Sequence, residues 1–180
     1  MLRKIATNPV VCRSYSTTEL SLLSFFTRPA TVIEPIGGDF ADPCAKIHKD
    51  CFAHPWSSQD LEAMIASSAF VADGAIQMPS RKLLGFILTR CIADEAEVMT
   101  VAVLASARRN GIAALLLDNH LQRLRTLRAV RLFLEVSEAN LPARRLYSKF
   151  GFTAVGVRDG YYRTIDGANS NALVLAKDLI

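Results

Sequence analysis

Hydrophobic and polar positions along this chain switch repeatedly between a period of two and a period near 3.6, and each switch marks an element boundary. Thr31 to Ile36 reads as a first strand, closed by Gly37-Gly38. Over Asp42 to Phe52, residues Ala45, Ile47, His48, Cys51 and Phe52 recur near helical spacing, which predicts a short helix ended by His54-Pro55. Ser57-Ser58-Gln59-Asp60 has the form of a capping box, with Ser57 as N-cap and Asp60 at N3, so a second helix should run to about Ile65. Strands are expected at Ala69 to Ala72 and Leu83 to Arg90, with turn-rich Gly74 to Arg81 between them, and at Glu97 to Val103, which is rich in β-branched residues. Apolar residues at 112, 115, 116, 121 and 124 predict a helix over Gly111 to Thr126 that leaves His120 on its polar side, facing solvent. Val130 to Val136 follows as a strand and Leu141 to Phe150 as a helix. Phe152 to Arg158 and Ala172 to Ala176 close the pattern as strands around Asp166-Gly167.

Several strands follow one another directly, so the expected class is α+β with a mixed, mostly antiparallel central sheet flanked by helices. The chain has 180 residues, 51% hydrophobic and 21% charged, which suits one globular domain with a short remainder. The remainder is assigned to residues 1–30, which are rich in Ser and Thr, poor in acid and weakly periodic. They suit a loosely ordered extension, or an organellar transit segment, ahead of a domain over residues 31–180. The longest aliphatic run, Ile112 to Leu117, is far shorter than the ~20 residues of a spanning helix, so no membrane role is expected.

Charge changes the picture locally. The net charge is +4, but residues 1–30 hold four basic side chains against one acidic, leaving 17 basic against 16 acidic in the rest. That near-neutral body argues against direct nucleic-acid binding. Within it, residues 108–149 carry nine Arg or Lys against Asp118, Glu135 and Glu138, a concentration that suits an anion. Cys12, Cys44, Cys51 and Cys91 lack a CxxC pair, so reduced thiols in the cytoplasm are the expected state.

The candidate chemistry begins where the Glu97 to Val103 strand leads through Arg108-Arg109-Asn110-Gly111-Ile112-Ala113 into a helix. The first N–H groups of a helix have no internal partner and lie at the positive end of its dipole, so such a junction can hold a pyrophosphate, with Gly111 allowing close approach. A solvated arginine pair and a glycine that only opens a helix is the equally weighted alternative. Neither a Walker loop nor a dinucleotide-binding glycine fingerprint is present.

Taken together, Val101-Ala102-Val103, Arg108-x-x-Gly111-x-Ala113, Leu134-Glu135-Val136, Asn140-x-x-Ala143-x-x-Leu146-Tyr147 and Gly151-Phe152 resemble the GCN5-related N-acetyltransferase (GNAT) superfamily. Within it they are most similar to bacterial ribosomal-protein-alanine N-acetyltransferases of the RimI type. The resemblance implies the acyl-CoA N-acyltransferase fold, with a V-shaped splay between two central strands that holds acetyl-CoA. It implies that Arg108, Arg109, Asn110, Gly111, Ile112 and Ala113 cradle the pyrophosphate, that Val101 and Val103 offer backbone groups to the pantetheine arm, and that Asn140 touches the cofactor. It places Glu135 as general base, Tyr147 as general acid, and Tyr161 and Tyr162 beside the acceptor. It also implies direct transfer in a ternary complex to the N-terminal α-amine of a protein, the N-terminal alanine of a ribosomal protein, with acetyl-CoA as co-substrate and no metal.

Read from the residues alone, Asn140 is a helix N-cap, Glu135 an exposed salt-bridging residue, Tyr147 a core-edge aromatic, and Tyr161-Tyr162 a strand-edge pair. Glu97 is the rival base, since related enzymes place a glutamate on the strand before the loop. Cys44, His48 and Cys51 share a helix face but lack an obvious fourth ligand, so packing rather than metal binding is expected there. A small-molecule amine acetyltransferase and a non-catalytic acyl-CoA sensor are the alternative functions on the same fold.

Overall fold

The computed structural model describes residues 29–163 and 169–180, without the side chains of 160–170. In chain order the strands are β1 (Thr31–Pro35), β2 (Phe70–Gln77), β3 (Lys82–Ile92), β4 (Glu95–Val103), β5 (Arg131–Ser137), β6 (Thr153–Arg163) and β7 (Asn169–Asp178). The helices are α1 (Ala41–Lys49), α2 (Ser58–Ala66), α3 (Ile112–Thr126) and α4 (Leu141–Lys149). The strands form one sheet in the order β1-β2-β3-β4-β5-β7-β6, in which β4 and β5 run parallel and every other neighbouring pair antiparallel. This is the expected α+β class.

Burial along the strands shows which faces are covered. β2 and β3 are buried at nearly every consecutive position, as strands are when helices lie on both sides of them. β4 and β5 instead alternate buried and half-buried positions, so one of their faces stays open. Two apolar clusters account for the covered faces. One joins Leu116, Leu117, Leu121 and Leu124 of α3 to Leu132, Leu134 and Val136 of β5; the other joins Ala41, Cys44 and Ile47 of α1 and Leu61 of α2 to Ile76, Phe86 and Leu88. Each fully buried leucine contributes about 2 kcal/mol.

Local signals explain most boundaries. Ser57 caps α2 by accepting from the Asp60 N–H at 3.1 Å, while the Asp60 carboxylate accepts from the Ser57 N–H at 3.0 Å, completing the expected capping box. The Ser57 hydroxyl also donates to this carboxylate at 2.7 Å, and that bond, with the one from the Ser57 N–H, holds the Asp60 carboxyl below its ordinary value. Asn140 caps α4, its side-chain oxygen accepting from the Ala143 N–H at 3.2 Å.

Three expectations need correction. Gly74 to Gln77 is strand, not turn, because β1 pairs with it on one side and β3 on the other; two neighbours outweigh the weak strand propensity of Gly74-Ala75. On α3, Leu115 is 45% exposed and Leu117 takes the buried place. His120 does not face solvent: it is completely buried, held between Asp73 of β2 and Thr89 of β3. Asp166-Gly167 and nearly all of the residue 1–30 extension lie outside the described residues.

Candidate active site

The opening of the sheet has a local cause. Between β3 and β4 the register shifts, with Leu88 opposite Thr100 but Thr89 opposite Val98, so Met99 is an extra residue that bends β4. Parallel pairing of β4 with β5 runs from Glu95 opposite Arg131 to Val98 opposite Leu134 and stops at that bulge. Beyond it the two strands splay, and a cavity of about 710 Å³ lies between them. Its walls include Val101 of β4, Glu135 of β5, and Asn140, Ala143 and Tyr147 at α4, with Cys51, Phe52 and His54 from the loop after α1 opposite.

Strict alternation places Glu135. Leu132, Leu134 and Val136 point into the core, so Phe133 and Glu135 take the open face. The Glu135 side chain is 16% exposed, and its Oε1 lies 2.9 Å from an Arg158 guanidinium nitrogen on β6. Tyr147 is carried to the cavity by α4, buried and packed edge-on against Phe152 with ring centroids 5.6 Å apart. Glu97 sits at the closed end of β4, opposite Phe133, where its Oε2 accepts from Arg90 at 2.8 Å; it does not line the cavity.

The loop from β4 to α3 is held by its own first arginine. The Arg108 Nε–H donates to the Val103 carbonyl at 3.0 Å, and Nη2 lies 3.2 Å from the Cys51 sulfur. Arg109 and Gly111 adopt left-handed backbone, φ 64° and 80°, and turn the chain into α3. Gly111 is the N-cap of that helix and offers no side-chain acceptor, and the first i to i−4 bond comes from the Leu115 N–H. The N–H groups of Ile112, Ala113 and Ala114 therefore precede any intrahelical partner. At φ 80° an L side chain is strained even in open space, and a Cβ at Gly111 would meet nothing within 4 Å. Gly111→Ala is therefore expected to lower stability by roughly 1–2 kcal/mol through backbone strain alone, measured by urea denaturation.

The structure thus brings Val101, Glu135, Asn140 and Tyr147 to one cavity. Val103 and Arg108 lie at the loop end of β4, with the Val103 carbonyl engaged by Arg108. Asn110 and Ile112 border a separate depression of about 410 Å³. The Tyr161 and Tyr162 backbones belong to β6, and their side chains lie outside the described residues. Arg158 and the cavity-lining roles of Phe52 and His54 were not legible: the first depends on the pairing of β5 with β7 and of β7 with β6, the others on a loop folding over the splay.

Cys44 is buried, and burial pushes its thiol up to about 12, so it behaves as a small apolar group. Among the described residues no group of three His, Cys, Asp or Glu is placed to hold a metal. None of the described helices is long and apolar enough to cross a membrane.

Residues 41–152 match the acetyltransferase (GNAT) family, over more than half of the chain. The chain belongs to the GNAT family. Among GNAT relatives, the [ribosomal protein bS18]-alanine N-acetyltransferase of Haemophilus influenzae is 35% identical over 97 residues, 54% of this chain and 66% of that protein, just under two thirds of its length. The protein of the same description from Escherichia coli K12 is 30% identical over 131 residues, 72% of this chain and 85% of that one. The crystal structure of the Escherichia coli ribosomal-protein-S18-alanine N-acetyltransferase superposes with a TM-score of 0.77 at 25% identity, covering 83% of this chain and 94% of the other. The sheet splay is therefore that of a GNAT fold.

Proposed function

We propose that this protein transfers the acetyl group of acetyl-CoA to the N-terminal α-amine of a protein, with the N-terminal alanine of ribosomal protein S18 as the acceptor to test first. The observation that carries this is the splay beyond Val98 and Leu134, which opens a cavity where a carboxylate, Glu135, and a phenol, Tyr147, share the walls. Two relatives, 35% and 30% identical over the matched segments, carry that acceptor in their names.

The residues present suit acetyl-CoA. The cavity has the size of a small-molecule site, one edge of β4 beyond Val98 is unpaired by β5, and an uncapped helix start with two arginines lies where β4 ends. Arg108, Arg109, Asn110, Gly111, Ile112 and Ala113 are assigned to the pyrophosphate, Val101 and Val103 to the pantetheine arm. Asn140 already caps α4 and stands at the cavity wall, so it is assigned the cofactor contact through that same end of the helix. The thioester supplies an acyl group already activated toward amines.

An ammonium has no lone pair, so a base must take its proton before it can attack; Glu135 is assigned that role. The departing thiolate accepts a proton, and Tyr147 is assigned as its donor. An α-amine, with pKa ~7.7–8.0, is already about a tenth neutral at pH 7, which keeps the demand on Glu135 modest. Tyr161 and Tyr162 are assigned to the acceptor. In this reading residues 31–180 are the catalytic domain, residues 1–30 an extension, and the cytoplasm the compartment, where ribosomal proteins are available as acceptors.

The test is incubation with acetyl-CoA and a peptide starting with alanine, followed by mass spectrometry. A +42 Da product (the mass of the added C2H2O unit) on the α-amine is expected; coenzyme A binding without transfer to any amine would overturn the assignment.

A further inference from the structure

One wall of the cavity is the segment from Cys51 to Trp56, and both of its ends are tied to the same residue. His48 lies in the last turn of α1 and is 3% exposed. Its backbone carbonyl accepts from the N–H groups of Cys51 and Phe52, each at 3.0 Å, holding the first end. Its imidazole Nδ1 accepts from the Trp56 N–H at 3.2 Å, holding the second. The ring is also sandwiched, with the Phe52 centroid at 4.3 Å and the Trp56 centroid at 4.7 Å, both near parallel, and Phe86 of β3 tilted at 6.4 Å. Between the two ends Ala53, His54 and Pro55 are exposed, while Cys51, Phe52, Ala53 and His54 line the cavity that Glu135 and Tyr147 also line.

We propose that His48 is a positioning residue for the acceptor: by accepting from the Trp56 N–H it fixes the Cys51–Trp56 arch as the wall against which the incoming N-terminus is aligned. The inference rests on the acetyltransferase reading above and adds to it a residue that touches neither substrate. An arch of this length has no helix or strand bonds of its own, so its shape depends on where its ends are held. Without the Nδ1 acceptor the Trp56 N–H loses its partner, and the Trp56 end of the arch can shift while the Cys51 end stays tied to the His48 carbonyl and Arg108. A 1 Å displacement of a positioning wall is enough to cost catalysis heavily, although the chemical groups are untouched.

The imidazole can do this only when neutral, since an imidazolium has no lone pair at Nδ1. Burial lowers the His48 pKa from its ordinary value, which favours that form. The groups packed on the ring are Phe52, Trp56 and Phe86, none of them ionisable. Cys44, one helical turn back, has its thiol pushed up to about 12 and is uncharged at neutral pH. Cys51 and His54, the other titratable side chains of the arch, line the cavity.

Two variants separate the roles of His48. His48→Phe keeps an aromatic ring for the stack and removes the acceptor; His48→Asn puts an amide oxygen near the position of Nδ1 and cannot titrate. In steady-state acetylation of an alanine-starting peptide, His48→Phe is expected to raise the acceptor KM about tenfold, the cost of one lost buried hydrogen bond, while the KM for acetyl-CoA stays within about twofold. His48→Asn is expected to recover most of that loss. An unchanged acceptor KM in His48→Phe, or an equal rise in both KM values, overturns the proposal.

A second readout does not depend on activity. Trp56 is the single tryptophan of the chain, so its emission reports the arch directly. The folded native protein is expected to show an emission step on acidification with a midpoint below ~6.5, absent from His48→Asn. The same step in both proteins overturns the role of His48, whatever the acetyl acceptor proves to be. A protein that acetylates no amine but shows the His48-dependent step would remove the acetyltransferase reading and leave the tie between His48 and the arch standing.

Discussion

Glu135→Gln is expected to lower kcat for an alanine-starting peptide by about 100-fold at pH 7, while Glu97→Gln changes it by less than about threefold. A positioned general base contributes 10²–10⁴-fold, and an α-amine that is partly neutral without help places the loss near the low end of that range. Both glutamates line one depression of about 280 Å³ with Arg158, but only Glu135 also lines the larger cavity that holds Tyr147. Glu135 sits just past the point where β4 and β5 part and lines the cavity with Tyr147. Glu97 sits before it, paired to Arg90 at 2.8 Å and outside the cavity. The pH dependence supplies a further check: the Glu135→Gln rate should recover as pH rises through ~8, where the amine loses its proton to solvent. Stopped assays of both variants from pH 6 to 9 measure this, and equal rates for the two at pH 7 would remove Glu135 from the mechanism. Arg158 complicates the site without changing the sign, because it pairs with Glu135 from a strand that is itself 58% exposed at this side chain.

What the sequence made legible follows from how local each cause is. The capping box at Ser57 and Asp60 is four residues long and carries its own hydrogen bonds, and it appears as expected. The alternation around Glu135 is a property of one strand, so its open face could be inferred before any partner strand was known. The left-handed turn at Gly111 was likewise marked by the residue that tolerates it. The corrected features share the opposite property. Gly74 to Gln77 became strand because two other strands, 40 or more residues apart from each other in sequence, pair with it. The bulge at Met99 that opens the cavity arises from a register shift against β3, and nothing in Val98-Met99-Thr100 announces it. Arg158 reached Glu135 through two successive pairings. His120 looked polar on its helix because periodicity counts a histidine as polar, whereas a buried carboxylate on another strand makes the core the better place for it.

That buried group gives the largest expected effect on stability. His120→Ala should cost about 3–5 kcal/mol, because it empties a fully buried site and strips the buried Asp73 carboxylate of one of its two hydrogen-bonded partners, a large part of the 5–15 kcal/mol that holds a typical domain together. Asp73 is 3% exposed, and its carboxylate accepts from His120 Nδ1–H at 2.6 Å and from the Arg123 guanidinium. On its other side the imidazole Nε2 lies 2.8 Å from the Thr89 hydroxyl. Three elements, α3, β2 and β3, therefore meet in one polar cluster inside the apolar core, and α3 is the helix whose first turn carries the loop after β4. Burial pushes the Asp73 carboxyl up, but the hydrogen bond from His120, the charges of His120 and Arg123, and the Arg123 hydrogen bond outweigh it and hold it below its ordinary value. A carboxyl lowered on folding stabilises the protein above its unfolded pKa of ~3.9, and that stabilisation is lost as pH falls through the folded value. Acid unfolding should therefore begin at higher pH in His120→Ala than in the parent, because the hydrogen bond that lowers Asp73 is gone. Thr89→Val tests the weaker arm and should cost only about 1 kcal/mol, one neutral hydrogen bond. Urea denaturation at pH 7 with repeat titrations down to pH 3 measures all of these; a His120→Ala protein within about 1 kcal/mol of the parent would show that the cluster fills space without binding α3 to the sheet.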